Sequence, residues 1–214
     1  MKHGVASAIT VLLVDDHAVV REGYQRLLAR DPRLQVVGGA ANSAEALDLD
    51  RRLQPDVLVM DIALPGVSGI ETARRIVARR SGAKVLMFSM YQDAIYAKRA
   101  FDAGALGYVS KSSAPDLLVD AVRSVAQGAR FVSPDVQEAL SEQPSRANEL
   151  VKSLSPREHE ILRLLTLGYD LEGIAERLGV SAKTVANQQS SIKQKLGANS
   201  ALQLILIARQ IGVG

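Results

Sequence analysis

Cysteine is absent from the 214 residues, which excludes disulfides, thiolate metal sites and cysteine nucleophiles. Tryptophan is absent too, and aromatics make up only 4%, so the core must be built from aliphatic side chains. No apolar run is long enough to cross a bilayer, and the first one, ITVLLV, is cut short by Asp15-Asp16. These absences lead us to expect a soluble, cytoplasmic protein with no membrane partner. An excess of one charge is missing as well: 26 basic residues face 23 acidic ones, and residues 153–214 hold 7 and 5. A nucleic-acid partner of this last part would meet no strong basic field.

Five short apolar runs stand out: ITVLLVD (9–15), LQVVGGA (34–40), DVLVMD (56–61), KVLMFSM (84–90) and LGYVS (106–110). Between them lie stretches with helical spacing, such as Val20, Tyr24, Leu27 and Leu28, or Ile70, Ala73, Ile76 and Val77. Strands alternating with helices indicate βαβ units and a parallel sheet. The expected fold is therefore an α/β domain over residues 8–130, a five-stranded, doubly wound parallel (βα)5 sheet. From Phe131 the strand signal ends. Residues 131–152 read as a linker containing a short helix opened by Ser133-Pro134, and 153–214 as a small all-α domain. Its first helix carries Ser155 as N-cap, Pro156 at the first position and Glu158 at the capping-box position, with Gly168 ending it.

In an open parallel sheet, ligands bind outside the carboxyl ends of the strands. Asp15-Asp16, Asp61 and Ser89 stand at such ends, and Lys111 follows the fifth. Singly, each has an ordinary explanation: Asp15-Asp16 as a helix cap, Asp61 as a turn cap, Ser89 as a loop residue, Lys111 as a solvated charge. Gathered together, the carboxylates would repel one another unless a cation lay among them. All-oxygen ligands suit Mg²⁺. With that ion shielding it, Asp61 would attack a phosphoryl group whose oxygens Ser89 and Lys111 hold.

The motifs DDH, MDIALPGVSG, MFSMYQ and AGALGYVSK, in this order and spacing, resemble the receiver domain of a two-component response regulator, and more narrowly the NarL/FixJ type. The resemblance implies that Asp61 is the phospho-acceptor. It implies that Asp16, Asp61 and the backbone carbonyl of Ala63 hold Mg²⁺, with Asp15 assisting through water. Lys111 would bind the phosphoryl group. Ser89 and Tyr108 would be a switch pair, the Tyr108 ring entering from the surface as Ser89 moves toward the phosphoryl group. The alternative for Tyr108 is a ring buried for packing alone. A sensor histidine kinase would be the partner and no external substrate would be turned over, so the chain is not expected to be an enzyme. A phosphohydrolase with an aspartate nucleophile would want a second acid two residues on; Ala63 stands there.

GIAERLGVSAKTVANQQSSIKQKLG (173–197) has a first helix ended by Gly179 and a second capped by Ser181, the helix-turn-helix arrangement. Val185, Ile192 and Leu196 would face the core, and Lys183, Ala186, Asn187, Ser190, Lys193 and Gln194 the other side. LSPREHEILRLL, GIAERLGVSAKTV and KLGANSALQL also resemble the LuxR-type DNA-binding domain. By that resemblance Ala186, Asn187 and Ser190 meet the major groove, Lys183 and Thr184 lie near phosphates, and the last helix, through Leu204, Ile207 and Ile211, carries a dimer contact. The expected function is transcription regulation by binding double-stranded promoter DNA as a homodimer on activation, with RNA polymerase as a further partner. Three departures weigh against tight binding: the family has basic residues where Ala186 and Ser190 stand, and Lys where this chain has Glu172. They leave open a receiver-controlled protein-binding module with weak or lost DNA binding.

Overall fold

The computed structural model describes residues 8–141, 153–210 and 213. The chain forms two compact units that divide after Ser141.

The first unit is a parallel sheet in the order β2-β1-β3-β4-β5-β6. Its strands are β1 (Ile9–Val14), β2 (Leu34–Ala40), β3 (Val57–Met60), β4 (Val85–Ser89), β5 (Gly107–Ser110) and β6 (Phe131–Val132). Helices α1 (Ala18–Leu28), α2 (Ser43–Leu53), α3 (Gly69–Arg79), α4 (Ala94–Asp102), α5 (Pro115–Ala126) and α6 (Pro134–Ser141) alternate with and follow them. Both sheet faces are covered, so the central strands are mostly apolar, and every residue of β3 and β4 is buried. Successive side chains still point to opposite faces, and this splits the core in two. Leu12, Val14, Met60, Met87 and Tyr108 pack with α2, α3 and α4, while Val11, Leu13, Val59, Phe88 and Val109 pack with α1 and α5. The strand order reverses between β1 and β3, and this creates the crevice at their carboxyl ends.

The sheet has six strands, not five. β6 pairs with β5, Gly107 with Phe131 and Tyr108 with Val132, although the strand signal was expected to end at Phe131. A two-residue strand shows no periodicity, and here the pairing is decided by its neighbours. The Ser133 N–H donates to the Tyr108 carbonyl at 3.0 Å, and the Ser133 hydroxyl accepts from the Ser110 N–H at 3.2 Å. The short helix of the expected linker, α6, buries Val136 fully in the core beside Tyr91, Tyr96 and Tyr108, so residues 131–141 are built into the first unit. Of the polar stretch 141–149 expected as linker, Ser141 ends α6 and the rest lies outside the described residues.

The second unit holds α7 (Pro156–Thr166), α8 (Leu171–Leu178), α9 (Ala182–Leu196) and α10 (Ala201–Gln210). Ser155 and Glu158 form the capping box of α7. Gly179 ends α8 at φ 62°, a left-handed conformation that glycine adopts without steric cost. Ser181 caps α9 by accepting from the Thr184 N–H, so the turn between α8 and α9 is fixed at both sides. Val185, Ile192 and Leu196 are buried as expected.

Candidate functional site

Asp61 follows β3 and is fixed from two sides. Its N–H donates to the Val14 carbonyl on β1 at 2.8 Å. Behind it, Gly69 at the start of α3 packs so closely that an added Cβ would lie 1.7 Å from the Asp61 carbonyl oxygen. Asp15, at the end of β1, is as buried as Asp61, each 5% exposed. Lys111 reaches between them, its Nζ 2.6 Å from Asp15 Oδ2 and 2.5 Å from Asp61 Oδ2. The Lys111 backbone N–H donates to the Ser89 carbonyl at 2.8 Å, pinning the root of the side chain to the end of β4. Lys111 thus sets one positive charge between the two carboxylates. Lys111 is not a solvated surface charge: its side chain is 9% exposed.

Burial raises the pKa of Asp61; the Lys111 charge opposes this and Asp15 adds to it, with a net upward shift. Burial works against the Lys111 ammonium, but Asp61 and Asp15 more than offset it, and its pKa ends above the usual value. One ammonium and two acids thus share a site largely removed from water.

Asp16 points elsewhere. Its Oδ1 is buried and accepts no well-formed hydrogen bond, although the His17 Nδ1 lies 2.7 Å away. One ligand atom from each of Asp15, Asp16 and His17 falls within 4.8 Å of the others. Asp61 is outside this close cluster, its Oδ2 being drawn to Lys111. The buried Asp16 oxygen and the carboxylate oxygens of Asp15 beside it are hard donors that fit a small divalent cation such as Mg²⁺. Asp15 and Asp16 do not cap α1: His17 is its N-cap residue and makes no side-chain cap bond. Asp15 instead accepts from the His17 N–H at 2.8 Å, and its carbonyl accepts from Arg21. Ala63 donates its N–H to Asp61 Oδ1 at 3.3 Å.

Ser89 is buried, and its hydroxyl accepts from the Tyr91 N–H at 3.4 Å. Tyr108 is fully buried, and its hydroxyl donates to the Tyr91 carbonyl at 2.7 Å. Burial drives the Tyr108 pKa well above 10, against a hydrogen bond with Ser89. The ring expected to enter from the surface is therefore already inside, in the same core as the Tyr91–Tyr96 stack (4.4 Å between centroids).

On α9, Lys183, Thr184, Asn187 and Ser190 are exposed, and Ala186 and Lys193 are half-buried. Two of these residues bond to their own helix. The Ser190 hydroxyl donates to the Ala186 carbonyl at 3.1 Å, and Thr184 Oγ1 lies 2.8 Å from Ser181 Oγ. Sequence reasoning missed the brace behind them. Glu158, 4% exposed, accepts from Ser191 at 2.7 Å and from Lys195 Nζ at 2.6 Å. Burial raises its pKa, and Lys195, the Ser155 N–H and Ser191 more than reverse this, leaving it below the usual value. Spacing within α9 could have shown that Ser191 and Lys195 share a face, but not which acid meets them. On α10, Leu204 is fully buried and is unavailable for a dimer contact; Leu202 and Leu206 are the exposed leucines. Ile211 lies outside the described residues.

Residues 11–123 match the family model of the response regulator receiver domain, and 152–208 match that of bacterial regulatory proteins of the luxR family. The chain is 36% identical to response regulator GacA of Pseudomonas aeruginosa, covering 96% of this chain and 97% of that one. It is 35% identical to response regulator UvrY of Escherichia coli, covering 96% and 95%.

The chain belongs to the NarL/FixJ family of response regulators.

Among solved structures, a LuxR-family two-component response regulator from Aurantimonas aligns at 46% identity with TM-score 0.62, over 63% of this chain and 96% of that one. RcsB from Salmonella enterica serovar Typhimurium, bound to promoter rprA in the presence of the phosphomimetic BeF3⁻, aligns at 26% identity with TM-score 0.63, over 94% and 98%. As a response regulator, the chain pairs a receiver domain with a LuxR-type DNA-binding domain. No helix among the described residues is long and apolar enough to cross a membrane.

Proposed function

We propose that a sensor histidine kinase transfers a phosphoryl group to Asp61, and that this controls binding of promoter DNA by the second unit. A carboxylate oxygen of Asp61 forms the new P–O bond as the P–N bond of the donor phosphohistidine breaks, the imidazole keeping the electron pair. The observation that carries this reading is Lys111 held between Asp15 and Asp61 in a buried crevice. The ammonium is already where the transferred oxygens would gain negative charge, and it needs little reorganisation. Asp15, Asp16, Asp61 and the Ala63 carbonyl would hold Mg²⁺, which when bound would neutralise charge on the acids and the incoming group. Ser89 lies close enough to Tyr108 for a shift of its hydroxyl to be felt by the phenol, which is the basis for their role as a switch pair.

For the second unit we propose a homodimer on a promoter, with Asn187 reading adenine in the major groove and Lys183 and Lys193 on phosphates. Ala186 would lie close to the bases, and Thr184 and Ser190, each already in one local hydroxyl hydrogen bond, would meet DNA with the remaining capacity of those hydroxyls. That engagement, together with exposed Glu172, favours a second reading in which this unit binds protein. Cytoplasmic location and contact with RNA polymerase belong to the first reading.

The test is selection of genomic fragments by the purified protein, with and without beryllofluoride plus Mg²⁺, beside Asp61→Asn. Defined sites enriched by beryllofluoride and lost in Asp61→Asn support the reading. No sites under either condition would turn it to the protein-binding one.

A further inference from the structure

At the end of β4 two neighbouring residues point to opposite faces of the sheet. Ser89 turns toward Tyr108 and Tyr91, on the side of α3 and α4. Phe88 turns the other way, into the core shared with α1 and α5. Asp15 and Asp61 each follow a strand residue that belongs to the Ser89 side, Val14 and Met60, so alternation sends both carboxylates toward the Phe88 side. The crevice floor therefore includes an aromatic ring as well as two acids.

The Lys111 ammonium lies 5.9 Å from the centroid of Phe88, within reach of the negative face of the ring. Phe88 is itself held. The Tyr24 ring on α1 meets it edge to face, 4.6 Å between centroids and 79° between planes, the geometry preferred by the ring quadrupoles. In a chain with only eight Phe and Tyr residues, two are spent on this contact. Tyr24, Phe88, Asp15 and Asp61 line one small cavity of about 10 Å³, too small for more than a single water. The Tyr24 phenol also feels the charges of the site: burial raises its pKa, Lys111 lowers it, and Asp15 and Asp61 raise it.

Lys111 has a long flexible stem, and its two carboxylate partners must change when Asp61 becomes an acyl phosphate. A ring that stays put gives the ammonium a support that does not depend on either acid. We propose that Phe88, braced by Tyr24, positions the Lys111 ammonium for phosphoryl transfer to Asp61. This rests on the reading of Asp61 as acceptor and adds to it two positioning residues, neither touching the reacting atoms.

Full-length protein, with Mg²⁺ present, is phosphorylated with acetyl phosphate, and the saturating rate and half-saturating concentration are read separately. Phe88→Leu keeps an apolar side chain without a ring; it should lower the saturating rate roughly 5- to 20-fold, as loss of a partly desolvated cation–π contact implies, and change half-saturation less than about twofold. Phe88→Tyr and Tyr24→Phe keep the rings and should stay within about twofold of wild type, and Tyr24→Leu should fall between. In a Lys111→Met background Phe88→Leu should cost nothing further, because the ammonium it positions is gone. A general packing role predicts the same loss in both backgrounds, and thermal melts report the fold of every variant. Independently of phosphorylation, the Lys111 Cε–Hε resonance, assigned by its loss in Lys111→Met, should be shifted by the ring current of Phe88. The shift should disappear in Phe88→Leu and persist in Phe88→Tyr. Phe88→Leu at the wild-type rate, an equal loss in both backgrounds, or no ring-current shift overturns the proposal. If wild type takes no phosphoryl group, or Asp61→Asn takes as much, the acceptor reading fails while the resonance still reports whether Phe88 holds Lys111.

Discussion

The crevice around Asp61 and the outer face of α9 handle charge in opposite ways. In the crevice, Asp15, Asp61 and Lys111 are almost out of water and fixed by backbone hydrogen bonds at the strand ends, and the Lys111 ammonium is the shared partner of both acids. On α9 the polar side chains stand toward solvent, and their hydroxyls turn back on the helix itself. A reaction needs its charges preorganised in a low-dielectric setting, where they interact most strongly. A groove-reading face must stay adaptable, and it gains affinity only when it meets phosphates and bases. What is rigid in the second unit lies behind that face, in the Glu158 brace.

The largest effect expected falls on the rigid side. Gly69→Ala places a Cβ against the Asp61 carbonyl, and the loop or α3 must move. We expect a loss of about 3 kcal/mol, as for overpacking against backbone, and a drop of more than about tenfold in labelling by acetyl phosphate, since misplacing a reacting group is costly. Urea melts and labelling check both; a variant that labels normally would show that the position of Asp61 tolerates movement.

Breaking the brace comes next. Glu158→Ala should cost about 2 kcal/mol, below the usual figure for a buried pair because the Lys195 end is partly exposed. The folded pKa of Glu158 lies below its ordinary 4.5. Its contribution is therefore complete above about pH 4.5 and is lost as pH falls through the folded value. The gap in melting temperature between wild type and Glu158→Ala should narrow below that pH and be constant from about pH 6 to about pH 8.

Tyr108→Phe removes the donor to the Tyr91 carbonyl and should cost about 1 kcal/mol, measured by denaturant titration. Within α9, Lys193→Met should reduce the slope of log affinity against log salt by about 1. Lys195→Met should leave the slope unchanged, since this lysine is tied to Glu158. Equal slopes for the two variants would break the contrast between reading face and brace. The smallest effect belongs to a pair at the surface: Arg33 holds the Asp31 pKa at about 2. Arg33→Met should lower melting temperature slightly above about pH 4, a difference lost as pH falls through the folded value.

Periodic features are legible in the sequence itself. The five longer strands, the two-helix motif that turns at Gly179 and Ser181, and the standing of Asp15, Asp61 and Ser89 at strand ends follow from spacing, because strand alternation and strand ends are local properties. β6 is not legible there, since a two-residue pairing has no period. Nor is the state of Tyr108: its place on β5 follows from sequence, but its inward ring follows from the Tyr91 carbonyl and the packing of α6. Leu204 as a dimer residue fails for a similar reason, because helical spacing defines faces but not which face the rest of the unit covers.

By itself, then, the sequence determined which of the longer elements form, in what order, and which acids stand at the strand ends, all of it written in periods of about 2 and 3.6 residues and in turn chemistry. Only the tertiary structure decided which partners those groups find: Lys111 between two carboxylates and over Phe88, Glu158 against α9, and β6 on the open edge of β5. Those contacts join residues far apart in the chain, and their strength depends on how much water the fold removes around them.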